Sequence, residues 1–293
     1  MEKYTRIDFR DQIASNKRKS FFLMLSVFLV ILLLGYVISI AFGEGYFFII
    51  MIFSIIFSIF YLLISYYNSD KIATFSAGAR EVNRGQYKQY YSVVEGLTIA
   101  SGLPMPKLYI MPSLNINAFA SGRDPKHSVI CVTQGALEKL DKRELEGVIA
   151  HELGHIESYD IRYMTLVAVM VGIISIISEI FLRSLWFNSG DRDNKKGIFI
   201  LIGIILAILA PIFVFFVQMA ISRKREFTAD ASAVKFTRYP VGLINALKKI
   251  GEENNPEKKI NKAIAPLFFS NPFLEVGNTH PPIKKRIEVL QNM

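Results

Sequence analysis

Long apolar runs constrain the fold of this chain more than any other feature of its sequence. Four such runs span residues 21–42, 46–66, 163–182 and 198–220. The first holds 22 residues without a charge, and as a helix rising about 1.5 Å per residue it spans roughly 33 Å, enough to cross a bilayer. Its apolar part is too long for a cleaved signal peptide, and only Gly43, Glu44 and Gly45 separate it from the second run. The runs therefore predict a membrane protein with two transmembrane helical hairpins.

Composition and charge agree with a membrane location. The chain is 52% hydrophobic and carries a net charge of +9. Many basic residues flank the apolar runs, as in Lys17–Lys19 and Arg223–Arg225, where they favour an anionic membrane surface. Nucleic-acid binding would place that charge on a soluble face interleaved with aromatic side chains, so we expect no nucleic-acid partner. The single cysteine, Cys131, excludes an intrachain disulfide and is interpreted as a buried strand residue.

The distribution of basic residues predicts the orientation of the chain. The first twenty residues contain six Lys or Arg, whereas the turn of the first hairpin contains none, which places the N-terminus in the cytoplasm. The loop of the second hairpin, 183–197, carries four basic residues, so that hairpin either crosses fully or dips into the membrane and returns. The predicted segments are a cytoplasmic N-terminus (1–20), a membrane hairpin (21–66), a first cytoplasmic domain part (67–160), a second membrane hairpin (161–220) and a second cytoplasmic part (221–293).

The stretch IAHELGHIES, residues 149–158, contains the strongest chemical motif. Asp141 and Glu144 are spaced as a helix-capping pair, and the apolar residues that follow recur at helical spacing. On that helix His151 and His155 lie about one turn apart on one face, where both imidazoles can reach one metal ion. Glu152 then lies beside the ion as the general base. The alternative is a pair of ordinary surface histidines.

A catalytic zinc site needs a third protein ligand and an open position for water. The metzincin pattern is excluded because Ser158 and Ile161 stand where its glycine and histidine would be. Asp160 is too close in sequence to reach round the ion, and Glu157 points from another face of the helix. Glu179 lies about 36 Å along the same helix from His155, too far to join them.

Glu226 is the best candidate for the third ligand. It begins a helical run where the fourth apolar run ends, and the third run starts just after His155, so a membrane hairpin returns Glu226 to the histidines. Asp230, one turn later, is placed to accept a hydrogen bond from a ligand imidazole. Taken alone, Glu226 is equally consistent with an ion pair to Arg223 or Arg225.

Blocks spread over nearly the whole chain resemble the HtpX-type membrane metalloproteases, relatives of the prenyl-protein endopeptidases. They are LPMPKLYIM (103–111), NAFASGRDPKHSVICVTQGAL (117–137), ELEGVIAHELGHI (144–156), REFTADASA (225–233) and THPP (279–282). The resemblance implies a mainly α multi-pass protein of the bacterial cytoplasmic membrane with a zincin-like α+β protease domain, its active site facing the cytoplasm. It also implies one Zn2+ per subunit held by His151, His155 and Glu226, with Glu152 catalytic. The expected activity is hydrolysis of misfolded or damaged membrane proteins and other unfolded polypeptides in a stress response.

Two further sites stay open at the sequence level. Asn117–Ser121 is either an exposed strand edge on which a substrate chain is added or a plain loop. LYIM (108–111) and SVICVT (128–133) are predicted as short strands on either side of it. His280, in THPP, either donates to the oxyanion of the reaction or is merely structural.

Two rival functions remain. One is an intramembrane-cleaving metalloprotease, which the charged flank Lys142–Glu146 of the histidine helix disfavours. The other is a non-catalytic membrane scaffold with a vestigial metal site, which the intact ligand set and Glu152 disfavour.

Overall fold

A computed structural model describes residues 9–42, 44–169, 223–253, 264, 267–270 and 281–293. Most of the two predicted membrane runs at 163–182 and 198–220 lies outside the described residues, as do Glu179 and His280. Within these ranges the chain is mostly helical, with one small mixed sheet.

The first two apolar runs form two long helices. Helix α1 (Phe9–Phe42) contains the whole first run, and a 3-10 turn (Glu44–Tyr46) joins it to α2 (Phe47–Tyr67). Helix α2 has a mean hydropathy of 2.9 over an 18-residue stretch, of which only 11% is buried. Among the described helices it alone is long and apolar enough to cross a membrane.

The packing of α2 is inverted relative to a soluble helix. Its buried residues are three serines, Ser54, Ser58 and Ser65, whereas Phe48 is 75% exposed. Gly35 of α1 approaches Ser54 so closely that a Cβ on it would collide with the hydroxyl. Small residues between helices and large apolar residues outside are typical of helices surrounded by lipid, where no hydrophobic force drives the helices together.

Four strands form the sheet in the order β1-β2-β4-β3. They are β1 (Arg80–Glu81), β2 (Lys107–Met111), β3 (Ala118–Asp124) and β4 (His127–Thr133). Strand β2 pairs with β4 in parallel, and the other two pairings are antiparallel. The predicted strands at 108–111 and 128–133 are confirmed, and the segment between them supplies β3, an edge strand of the sheet.

Helices cover the sheet and build the core. Before and after the sheet strands come α3 (Ser69–Ser76), α4 (Lys88–Ser101), α5 (Gln134–Lys139) and α6 (Lys142–Glu157), and residues 160–169 are again helical. The described C-terminal helices are α7 (Arg223–Thr237), α8 (Pro240–Glu253) and α9 (Ile283–Gln291). Helix α6 is central, because it packs against β3, α4, α7 and α8.

Candidate metal centre

A capping box fixes the start of the histidine helix α6. The backbone N–H of Glu144 donates to Asp141 Oδ1 at 2.9 Å, and the N–H of Asp141 donates to Glu144 Oε2 at 2.8 Å. Lys249 of α8 adds a 2.7 Å ion pair to Glu144. The predicted capping pair is confirmed. Because the capping box fixes where the helix begins, it also fixes the side of the helix from which the two histidines project.

Three predicted side chains converge at the buried end of α6. His151, His155 and Glu226 each offer a ligand atom, and these atoms lie within 4.8 Å of one another. The two Nε2 atoms are 3.1 Å apart, and the Glu226 oxygens lie 3.6 Å from His151 Nε2 and 3.5 Å from His155 Nε2. Glu226 therefore faces the histidines, as the hairpin argument predicts.

Each histidine is held by an aspartate on its far side. His151 Nδ1 donates to Asp230 Oδ1 at 2.9 Å, and His155 Nδ1 donates to Asp160 Oδ2 at 3.2 Å. These bonds select the tautomer in which the Nε2 lone pair points to the centre. The predicted contact of Asp230 is present. Asp160 is absent from the group of three ligands, as expected, but its role in orienting His155 is missed by the sequence argument.

Glycine allows α7 to approach α6 closely enough to deliver Glu226. A Cβ on Gly154 would lie 2.9 Å from Ser232 Cβ and 3.1 Å from Ala229 Cα, both on α7. The two helices therefore cross nearly backbone to backbone, one turn from Glu226.

A buried arginine completes the surroundings of His151. Arg286 on α9 is 1% exposed and donates to both Asp230 oxygens, from Nε at 2.9 Å and from Nη2 at 2.6 Å. Its guanidinium also lies over the ring of Phe269, which contacts His151 edge-on. Arg286 was not predicted from the sequence, although a signal for it exists: Arg286 shares the apolar face of an amphipathic helix with Ile283, Ile287 and Leu290.

Glu152 is poised beside the group without belonging to it. It is 1% exposed, and its Oε1 has no hydrogen-bond partner among the described residues, whereas the backbone of Ala120 bonds to the carboxylate. Burial raises the pKa of Glu152 above its usual value, against the opposing pull of the two histidines. A buried carboxylate with a free oxygen and a raised pKa suits proton transfer.

The electrostatics of the group favour a cation. Burial and Arg286 oppose protonation of His151, but hydrogen bonds with Asp230 and Glu226 outweigh them and raise its pKa to about 9. For Asp230 the charge of Arg286 and the bond from His151 outweigh burial and lower its pKa. Four buried carboxylates lie near two buried guanidinium groups, an excess of negative charge that protonated His151 offsets in part and that a divalent cation would balance: Glu152, Asp160, Glu226 and Asp230 against Arg225 and Arg286. Two imidazoles and a carboxylate are also the donors that catalytic zinc prefers.

The outer edge of β3 is a strand edge, as one of the two interpretations predicts, but the described part is not free. Phe119 forms an antiparallel bridge with Phe268, and the N–H of Phe269 donates to the carbonyl of Ala118 at 2.8 Å. The side-chain amide of Asn117 pairs with the backbone of Ser270 through bonds of 2.8 and 3.1 Å. Of the two interpretations of Asn117–Ser121, the strand edge is the one observed, and the chain's own residues 268–270 lie along its first part, 117–119.

The remaining candidates lie apart from the group or outside the described residues. Glu157 forms a 3.0 Å ion pair with Lys235, in keeping with its predicted place on another face of α6. His280 is not among the described residues.

This chain is similar to known proteins over most of its length. The protein-family model described as Peptidase family M48 matches residues 84–293 of the chain. A curated protein named Protease HtpX homolog, from Dictyoglomus thermophilum, is 42% identical over 289 residues, which is 97% of this chain and 95% of that protein. A protein of the same name from Thermoanaerobacter pseudethanolicus is 40% identical, covering 96% of each. The crystal structure of S. mikatae Ste24p is similar with 21% identity and a TM-score of 0.48, covering 96% of this chain and 66% of that one.

Proposed function

This chain belongs to peptidase family M48, and from that premise we propose that it is a zinc-dependent endopeptidase with His151, His155 and Glu226 as ligands and Glu152 as general base. The membrane metalloprotease class follows from the family and from the relatives named as HtpX proteases. The observation that carries the assignment of residues is the convergence of the two Nε2 atoms and the Glu226 carboxylate beside a Glu152 oxygen that is buried and unbonded.

When bound, the metal would act as a Lewis acid on a water molecule and on the substrate carbonyl. Glu152 accepts a proton as the water oxygen bonds to the carbonyl carbon, and it passes that proton to the amine as the C–N bond breaks. Ala120 holds the carboxylate of Glu152 in place through its backbone. Asp230 and Asp160 keep the imidazoles turned toward the centre, so that the geometry exists before the substrate arrives.

We propose further that α1 and α2 cross the membrane as a hairpin and that residues 161–220 form a second one. The serine-lined contact between α1 and α2 and the basic residues before α1 support this topology. Residues 67–160 and 221–293 then fold together as one cytoplasmic protease domain, a reading that the packing of α6 on α7 supports. Labelling of a cysteine placed at Asn188 in intact cells tests it: accessibility from outside indicates a full crossing.

The proposed substrates are misfolded or damaged membrane proteins and other unfolded polypeptides reached from the cytoplasm, as in membrane quality control under stress. The position of the centre next to the first residues of the 160–169 helix, which leads into a predicted membrane run, supports this access. Zinc is proposed at one ion per subunit because the described ligand set holds a single group of three.

The substitution Glu152→Gln tests the mechanism. We expect it to keep stoichiometric zinc and to lower cleavage of an unfolded casein substrate by at least about 100-fold, the lower range of general-base effects. Glu157→Gln is the matched control, because it neutralises a glutamate on the same helix whose partner is the surface residue Lys235. Undiminished cleavage in Glu152→Gln would remove that residue from the mechanism, and absence of zinc from the purified wild type would favour the scaffold alternative.

A further inference from the structure

The helix that contains the first apolar run also touches the metal centre. Asn16 of α1 is only 2% exposed, whereas a polar side chain in a solvated basic segment would be largely exposed. Its Nδ2 donates to Asp160 Oδ1 at 2.6 Å and to the carbonyl of Ser158 at 3.0 Å. These partners lie 144 and 142 residues away in sequence, so the contact is a feature of the tertiary fold.

Asp160 passes this contact on to a ligand. Its other oxygen, Oδ2, accepts from His155 Nδ1 at 3.2 Å and from the hydroxyl of Ser158 at 2.9 Å. Asp160 itself is 1% exposed. Asn16 holds one oxygen while His155 uses the other, so the amide fixes the plane of the carboxylate and thereby the direction of the imidazole.

Asn16, which holds Asp160, is neutral, whereas Arg286, which holds the aspartate of the other histidine, is charged. Asp230 is held by a cation, Arg286, whereas Asp160 receives its short bond from a neutral amide. A neutral donor orients a carboxylate without cancelling its charge, so Asp160 keeps its attraction for the Nδ1 proton of His155. Among the described residues Arg225 forms an ion pair with Asp160, at the longer distance of 3.8 Å.

We propose that Asn16 is a positioning residue of the metal centre, acting through Asp160 on the ligand His155. The inference rests on the proposed function, because it assigns Asn16 to the same metal site. On this proposal α1 contributes to the metal centre as well as containing a membrane run, because it is hydrogen-bonded to a carboxylate that orients a metal ligand.

The test is zinc affinity, measured by competition with a chelator on the full-length protein in detergent. All variants carry Glu152→Gln, so that self-cleavage does not disturb the titration. Substitution of the direct hydrogen-bond partner of a ligand histidine lowers metal affinity by about 10- to 100-fold. Asn16 is one hydrogen bond further from the metal, so we expect Asn16→Leu to weaken zinc binding about 3- to 10-fold. Asn16→Ala, which cannot clash, serves if the leucine variant does not fold.

Ser20→Ala is the matched control. Ser20 is as buried as Asn16 on the same helix, but its hydroxyl donates to the carbonyl of Asn16 within α1, and among the described residues it forms no hydrogen bond with Asp160 or the histidines. We expect it to leave zinc affinity unchanged. In the background with Glu152 intact, cleavage by the Asn16 variant should recover as zinc is raised to saturation, which a merely structural defect would not do.

Each result separates the two proposals. A protein with native Asn16 that binds no zinc defeats the proposed function. A protein that binds zinc, with equal affinity in the native and Asn16-substituted forms, leaves that function standing and defeats the inference. An equal loss in the Ser20→Ala control assigns the effect to the packing of α1 and also defeats it.

Discussion

The close crossing of α6 and α7 predicts that Gly154→Ala damages the metal centre more than the fold. An added Cβ would lie 2.9 Å from Ser232 Cβ, whereas carbon atoms pack best at about 3.5–4.0 Å, so α7 must retreat by about 0.6 Å or more. Glu226 is on α7, one turn before the contact at Ala229. Metal–ligand distances tolerate only about 0.2 Å, so the retreat exceeds what the site can absorb.

The change in global stability should be smaller. Overpacking costs about 1–3 kcal/mol, while replacing a helical glycine by alanine returns about 1 kcal/mol. We therefore expect the free energy of unfolding to fall by about 0–2 kcal/mol. Zinc affinity and the specific rate of cleavage should both fall about 10-fold or more, because small misplacements of catalytic groups have large kinetic effects.

The assay compares zinc affinity, from chelator competition, with thermal unfolding of the same samples. Gly96→Ala is the control, since Gly96 is also helical but a Cβ there meets nothing within 4 Å. That variant should be slightly more stable and bind zinc normally. If Gly154→Ala lost only stability and bound zinc like the wild type, the argument that this crossing positions Glu226 would be refuted.

Two further substitutions test separate parts of α6 and its surroundings. Asp230→Asn should weaken zinc binding about 10- to 100-fold, because His151 loses its charged acceptor; unchanged affinity in the chelator titration would show that the tautomer is fixed without it. Asp141→Ala removes the side-chain half of the capping box and should lower the free energy of unfolding by about 1 kcal/mol without changing zinc affinity. Thermal unfolding checks this second change, and an unaltered melting temperature would mean that the contacts of Glu144 with Lys249 suffice to fix the start of the helix.

Sequence patterns predicted the parts of the site that depend on local spacing or on topology. The capping box and the histidine pair are local, and the family resemblance to the HtpX-type proteases is confirmed by the M48 match and the curated relatives. Glu226 was predicted from the expected hairpin at 161–220, most of which lies outside the described residues, and the structure does place Glu226 beside the two histidines. No local pattern could show that Ser270 pairs with Asn117, since the two are 153 residues apart.

Local sequence patterns could not predict the residues that hold Asp160 and Asp230 either, because these residues are also distant in sequence. Asn16 sits in a basic stretch that looks like a solvated segment, and only the tertiary fold buries it. Arg286 was visible as a charge on an apolar helix face, but a buried charge shows that a partner exists without identifying it. The contacts of Asn16, Asp160 and Arg286 with these groups therefore required coordinates.

The assembly of the centre from α1, α6, α7 and α9 has a consequence for how the enzyme is made. Synthesis runs from the N-terminus, so α6 with both histidines leaves the ribosome well before Glu226, and Arg286 follows later still. During that interval a growing polypeptide carries the histidines but lacks the carboxylate and the guanidinium that complete their surroundings. On the proposed assignment of ligands, proteolytic activity would therefore begin only after the C-terminal helices have been synthesised.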